Sequence, residues 1–153
     1  VLVRIVAVDR LRSTYVAEAC ADLRKRLLPY HSYEEIEVRP GDGKDPRTAT
    51  RDESARILRH LRDGERVWLL ERSGVQLSSP ALASRLGDVA RSGAQRLTLV
   101  IAGTYGADAA LRMRAEFLWS LSDLTFLHEW TRMIVLEQLY RAAKIARNEP
   151  YHH

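Results

Sequence analysis

Cysteine is almost absent. Cys20 stands alone among 153 residues, so no disulfide can close within the chain and no cysteine-based metal cluster can form. Long apolar runs are missing as well. The opening stretch Val1 to Val8 is interrupted by Arg4 and is too short for a membrane-spanning helix or a signal peptide, which leads us to expect a cytoplasmic protein. No repeat, low-complexity tract or linker divides the chain, so residues 1–153 read as one domain. Neither sign of charge is scarce: 24 Lys and Arg face 20 Asp and Glu, a net charge of +4 with a pI near 9.5. That balance is compatible with a polyanionic partner and is no argument for one by itself. With 46% hydrophobic and 29% charged residues, the composition excludes a disordered chain.

Taken in order, the chain alternates strand and helix. Val1 to Val8, rich in β-branched residues, predicts a first strand. Ser13 or Thr14 suits the cap of a helix whose Val16, Cys20, Leu23 and Leu27 recur at spacings of four, three and four before Pro29, with Cys20 as a small buried hydrophobe. Its Arg24, Lys25 and Arg26 read as a solvated face. Glu34 to Arg39 predicts a second strand, poor in apolar residues and therefore near a sheet edge. Pro40 to Arg47 is a loop on its Gly, Pro and Asp content, and its Lys44 and Arg47 are candidates to follow a nucleic-acid backbone. A helix is expected from Thr48 to Asp63 with Ala55, Leu58 and Leu61 inward and Gly64 as its stop. A third strand over Arg66 to Glu71 is closed by Arg72-Ser73-Gly74, and Ser79-Pro80 starts a helix that Gly93 ends.

The last third carries the strongest signals. Leu97 to Ala102 is an apolar run that breaks at Gly103-Thr104-Tyr105-Gly106, a buried strand ending in a tight loop. Two glycines three apart permit positive φ and a close backbone approach to a ligand, and in open α/β sheets that is where ligands bind. A helical stretch follows, then Ser120 to His128 without helical period, then a long helix with the stripe Met133, Leu136, Tyr140 and Ala143. The whole order predicts an α/β fold: a mostly parallel sheet with helices on both faces. A phosphate-binding Rossmann loop is excluded, because no further glycine follows Gly106 at the required spacing.

Leu118-Trp119-Ser120-Leu121-Ser122, Leu124-Thr125, His128, Glu137-Gln138-Leu139-Tyr140-Arg141-Ala142, Ile145 and Pro150-Tyr151-His152 resemble the signature of the ribosomal large subunit methyltransferase H family. These are small SPOUT-class enzymes that methylate N3 of a pseudouridine in 23S rRNA with S-adenosyl-L-methionine. The resemblance implies a trefoil knot, with a cofactor region over about 67–153. The cofactor positions it implies are Leu70, Gly103, Asp123, Leu124, Thr125, Phe126, Leu127 and His128. It further implies a homodimer in which one subunit's tail completes the other's site, no metal, and a substrate in a hairpin loop of 23S rRNA, probed best in the assembled ribosome or large subunit.

The imide N3 must lose a proton to attack a methyl group, and a histidine near its ordinary pKa of about 6.5 suits that task at neutral pH. His31 and His60 lie among surface-like residues. The resemblance points to His152 near the substrate and to Tyr151 as a stacking platform for the target base. Arg141, four residues after Glu137, reads either as a helical ion pair or as a clamp on an RNA phosphate. The chain departs from the family pattern at Ala102, where a glycine is usual, at Leu127, where a proline is common, and at Thr104-Tyr105. These departures keep two alternatives open: methylation of another RNA nucleotide, and a non-catalytic RNA- or nucleotide-binding module on the same fold.

Overall fold

A computed structural model describes residues 1–43 and 45–151. The described elements are β1 (Leu2–Val8), α1 (Thr14–Leu27), β2 (Ser32–Val38), α2 (Pro46–Leu58), β3 (Arg66–Gln76), α3 (Ser79–Arg91), β4 (Arg96–Ile101), α4 (Ala109–Arg114), β5 (Phe117–Ser120) and α5 (His128–Ala146). The strands form one sheet in the order β2-β1-β4-β3-β5, and every pairing is parallel. The expected α/β architecture is therefore present. β1 and β4 hold the centre and are buried almost throughout, which is why their sequences are continuous apolar runs rather than alternating ones. β2 lies at an edge, as its sparse apolar content foretold, and exposes alternate residues.

Helices cover both faces. One core joins the inward faces of β1, β3 and β4 to α1, α3 and α5, through Val16, Leu23, Leu82, Val89, Leu136 and Leu139 among others. The other places Val6, Leu69 and Val100 against Ile57 of α2 and Leu111 of α4. All four stripe residues of α1 are buried. Burial pushes the Cys20 thiol above its ordinary value, consistent with a packed hydrophobe rather than a reactive thiol.

α1 is tied to α5 at its start. Ser13 precedes α1 without capping it through its side chain; instead its amide and that of Arg12 donate to Oε1 of Glu129, at 3.0 and 2.7 Å. The bond from Ser13 holds the Glu129 carboxyl below its ordinary 4.5, with Arg12 adding to it. A depressed carboxyl stabilises the fold above its unfolded-state value, and the contribution fades as pH falls through the folded value. Glu129→Gln is expected to melt below wild type at about pH 6, with the gap closing toward about pH 3; thermal melts across that range check it.

Five expectations are corrected. α2 begins at Pro46 because Asp45 caps it, accepting from the amides of Arg47 and Thr48, and it ends at Leu58 rather than Asp63. Its buried residues are Ala49, Glu53, Ser54 and Ile57; Leu58 and Leu61 pack partly buried against the core as expected, whereas Ala55 is exposed. Gly64, at φ 79°, serves the turn into β3, not the helix end. Ser78 caps α3 through Ala81 N, while the Ser79 hydroxyl donates to Gln138 of α5 at 2.7 Å. His31 is half-buried, and burial lowers its pKa.

β3 runs past Gly74 to Gln76, and a strand unseen in the sequence, β5, pairs with it. Leu70 and Val75 both lie opposite Trp119, with a register shift between them. Gly74 permits this crossing, since a Cβ there would sit 2.3 Å from the Leu118 carbonyl oxygen. Among the described residues, no helix is long and apolar enough to cross a membrane.

Candidate functional site

The carboxyl ends of β3, β4 and β5 converge beside the start of α5 and leave an open cleft of about 850 Å³, mouth included. Such an end is the expected ligand position in a parallel sheet. Leu70, Glu71 and Arg72 line it from β3, Ile101 to Thr104 and Gly106 from β4 and its loop, Trp119 from β5, then Leu121, Ser122, Leu124, Thr125 and Phe126, and finally His128 and Thr131 of α5. Its walls are mainly apolar, with a few polar groups to orient a ligand. Among the described residues, no group of three or more His, Cys, Asp or Glu is arranged to hold a metal ion.

Six of the eight expected cofactor positions share this cleft: Leu70, Gly103, Leu124, Thr125, Phe126 and His128. Two stand apart from its wall. Asp123 accepts a hydrogen bond from the Gln76 side chain at 2.9 Å, and Leu127, at the residue preceding α5, points to solvent with 66% of its surface exposed. The departure at Leu127 thus leaves the wall untouched, while that at Ala102 falls on it.

The glycine loop is built differently from the expectation. Gly106 has the positive φ, 85°, and its amide closes the turn onto the Gly103 carbonyl at 3.0 Å. Gly103 is a glycine for another reason: a Cβ there would lie 2.5 Å from Oε1 of Glu53. Glu53 is 7% exposed. Its Oε2 accepts from the Gly41 amide at 3.0 Å, and its Oε1 has no hydrogen-bond partner among the described residues. The neighbouring Ser54 hydroxyl accepts from the Asp108 amide at 3.2 Å. One turn of α2 therefore fastens both the Gly41 loop and the 103–108 loop, and no periodicity in the sequence announced it.

His128 is equally fixed. Its Nε2 lies 2.8 Å from the Val8 carbonyl oxygen. A carbonyl only accepts, so Nε2 carries the hydrogen and Nδ1 is left as the acceptor of the neutral ring. One turn further on, buried Arg132 binds Glu35 at 3.0 Å and the Asp9 carbonyl at 2.8 Å. Together these contacts lock the start of α5 to the carboxyl ends of β1 and β2.

The expected substrate and RNA residues lie elsewhere in the chain. The Tyr151 hydroxyl donates to Oε1 of Glu137 at 3.0 Å, its ring meets Tyr140 edge-on at 4.8 Å, and Arg141 lies 4.7 Å from its centroid. Burial, reinforced by the bond to Glu137, holds its phenol above the ordinary value. Arg141 also pairs with Glu137 at 2.6 Å, the ion pair that the spacing suggested. Arg47 is exposed on the first turn of α2. Lys44 and His152 lie outside the described residues. Sequence reasoning missed Glu71, Arg72, Trp119, Ser122 and Thr131 on the cleft wall; the apolar residues just before Ser120 were the available signal for β5 and Trp119.

Comparison with known proteins agrees with the architecture. A family model described as "Predicted SPOUT methyltransferase" matches residues 1–152. The chain is 40% identical over 150 residues to the ribosomal RNA large subunit methyltransferase H of Pelobacter propionicus, covering 98% of each. It is 40% identical over 151 residues to that of Gloeobacter violaceus, covering 99% of this chain and 98% of the relative, and 43% identical over 150 residues to that of a Synechococcus species, covering 98% and 93%.

Proposed function

We propose, because this chain belongs to the SPOUT methyltransferase family alongside the ribosomal RNA large subunit methyltransferases H, that it methylates N3 of a pseudouridine in a hairpin loop of 23S rRNA with S-adenosyl-L-methionine. The observation that carries this reading is the cleft at the ends of β3, β4 and β5, on whose wall six of the eight expected cofactor positions meet. The residues present fit the cofactor. Leu70, Ile101, Trp119 and Phe126 offer apolar walls for adenine, while Ser122, Thr125 and the Nδ1 of His128 offer polar partners for ribose and amino acid.

When bound, S-adenosylmethionine supplies a sulfonium-borne methyl group for in-line displacement. The protein's own work is orientation and proton handling: the cleft holds donor and base in line, and a base takes the N3 proton as the N–C bond forms. His152 is our candidate for that base and Tyr151 for the platform under the target ring. Arg47 and Lys44 are candidates for phosphate contacts beyond the hairpin loop, and Arg141 for one near the tail, where it would exchange its bond to Glu137 for the phosphate.

A homodimer is supported by the outer faces of α1 and α5. Tyr15 is 58% and Trp130 37% exposed, their side chains are hydrogen-bonded to each other at 3.0 Å, and beside them runs a groove lined by Ala19, Leu23, Met133 and Ile134 with Asp22 and Glu137 at its edges. Such a largely apolar face, with its exposed Tyr and Trp, is what a second copy would cover. The trefoil knot is what membership of the family implies, and the domain would span residues 1–153 with the cofactor region from about residue 67.

Two measurements test the function. Calorimetric titration with S-adenosylmethionine is expected to give saturable binding of one molecule per subunit. Mass spectrometry of nucleosides from large ribosomal subunits treated with the protein is expected to show a methylated pseudouridine. A different methylated nucleoside would establish the alternative RNA target, and a folded dimer that neither binds the donor nor modifies RNA would overturn the enzyme reading in favour of a binding module.

A further inference from the structure

The rim of the cleft carries a cation for which the reading above has no use. β3 keeps register to Leu70 and regains it at Val75, so residues 71–74 are surplus length in the β3–β5 ladder. They cannot flatten back onto β5 with a larger residue at the crossing, because Gly74 already lies against the Leu118 carbonyl. The bulge holds Glu71 and Arg72 at the edge of the cleft. Glu71 is already neutralised: its Oε1 accepts from Arg112 at 2.9 Å and from the Ser73 hydroxyl at 3.0 Å. Arg72 is exposed and, among the described residues, has no ion-pair or hydrogen-bond partner.

An arginine kept at a ligand cleft without a carboxylate paired to it is a fork of donors waiting for an oxyanion. We infer that Arg72 binds an oxyanion of the ligands that fill this cleft, an assignment that rests on the methyl-transfer reading of the site. Two oxyanions reach the mouth of such a cleft: the carboxylate of the cofactor's methionine moiety and a phosphate flanking the target nucleotide. Both take the same bidentate geometry, which lysine does not reproduce.

The test uses the full chain with Arg72→Ala and Arg72→Lys, each checked by thermal melting. Three quantities are measured: the affinity for S-adenosylmethionine, the affinity for methylthioadenosine, which lacks the amino acid carboxylate, and the salt dependence of binding to large ribosomal subunits. If the carboxylate is the ligand, Arg72→Ala weakens S-adenosylmethionine by about tenfold and leaves methylthioadenosine unchanged. If the phosphate is the ligand, both small molecules bind as in wild type, and the slope of log affinity against log salt flattens by about one. In either case Arg72→Lys restores less than full binding. All three quantities unchanged, or equal weakening of both small molecules, would overturn the assignment while leaving the methyl-transfer reading intact. A wild-type protein that binds no S-adenosylmethionine would overturn both.

Discussion

Gly103→Ala weakens S-adenosylmethionine binding by roughly tenfold to a hundredfold, and Glu53→Ala in the same chain recovers most of that loss. The added Cβ would lie 2.5 Å from Oε1 and 3.0 Å from Cδ of Glu53. That carboxylate cannot simply swing aside, because its other oxygen holds the Gly41 amide and the residue is buried. Overpacking of this kind costs about 1 to 3 kcal/mol, and the softer partner is the 103–106 loop, which is held by the Gly106-to-Gly103 turn bond and by Ser54 behind it. The loop therefore moves into the cleft, where the cofactor would lie. Removing the Glu53 carboxylate opens the space beneath and lets the loop return. Calorimetry on wild type, both single variants and the double variant forms a complete cycle, in which contacting residues show non-additivity. If the double variant binds as weakly as Gly103→Ala, the glycine answers to the cofactor above it and not to the carboxylate below, and our account of the loop is wrong. Glu53→Ala alone should cost little affinity, since it removes one bond to Gly41 and leaves the Gly103 turn unstressed.

That cycle also marks the boundary of what the sequence disclosed. The central strands were legible because both faces of β1 and β4 are covered, so burial writes an uninterrupted apolar run. α1 was legible because all four inward residues are apolar. α2 was only partly legible, since two of its four buried residues are Glu53 and Ser54; Leu58 and Leu61 do pack against the core, but Ala55 is exposed and the polar groups facing in broke the stripe. Gly74 misled in a related way. A glycine after a strand reads as its end, yet here it admits a crossing carbonyl and the strand continues to Gln76. β5 has only four residues, too few for any period to register. The cofactor positions came from resemblance to a family, not from pattern. What the resemblance could not supply is the support beneath them: the Glu53 carboxylate under Gly103, and the Val8 carbonyl that selects the His128 tautomer.

The second large effect concerns the tail. A subunit with a blocked cleft, Gly103→Trp, and a subunit with an altered tail, Tyr151→Ala, are each expected to lose nearly all methyl transfer as homodimers. Co-expressed, they are expected to regain about a quarter of wild-type activity. In random pairing about half of the dimers are mixed, and each mixed dimer has one intact cleft served by one intact tail. The arrangement follows from where Tyr151 sits. It is bonded to Glu137 and packed on Tyr140 and Arg141, while the cleft opens at His128 and Thr131 of the same helix. Nine residues separate Glu137 from His128, which at about 1.5 Å per residue is some 13 to 14 Å of helix, so the tail docks away from its own cleft. The exposed Tyr15 and Trp130 lie on the outer faces of α1 and α5, Trp130 in the same turn as His128 and Thr131 at the cleft, where a twofold-related copy would bring its own tail. Recovery in the mixed sample, with light scattering showing dimers, would establish that the site is shared between subunits. Activity no higher than the sum of the two parents would mean that each tail serves its own cleft or serves none, and the contacts of Tyr151 with Glu137 and Tyr140 would then be its whole role.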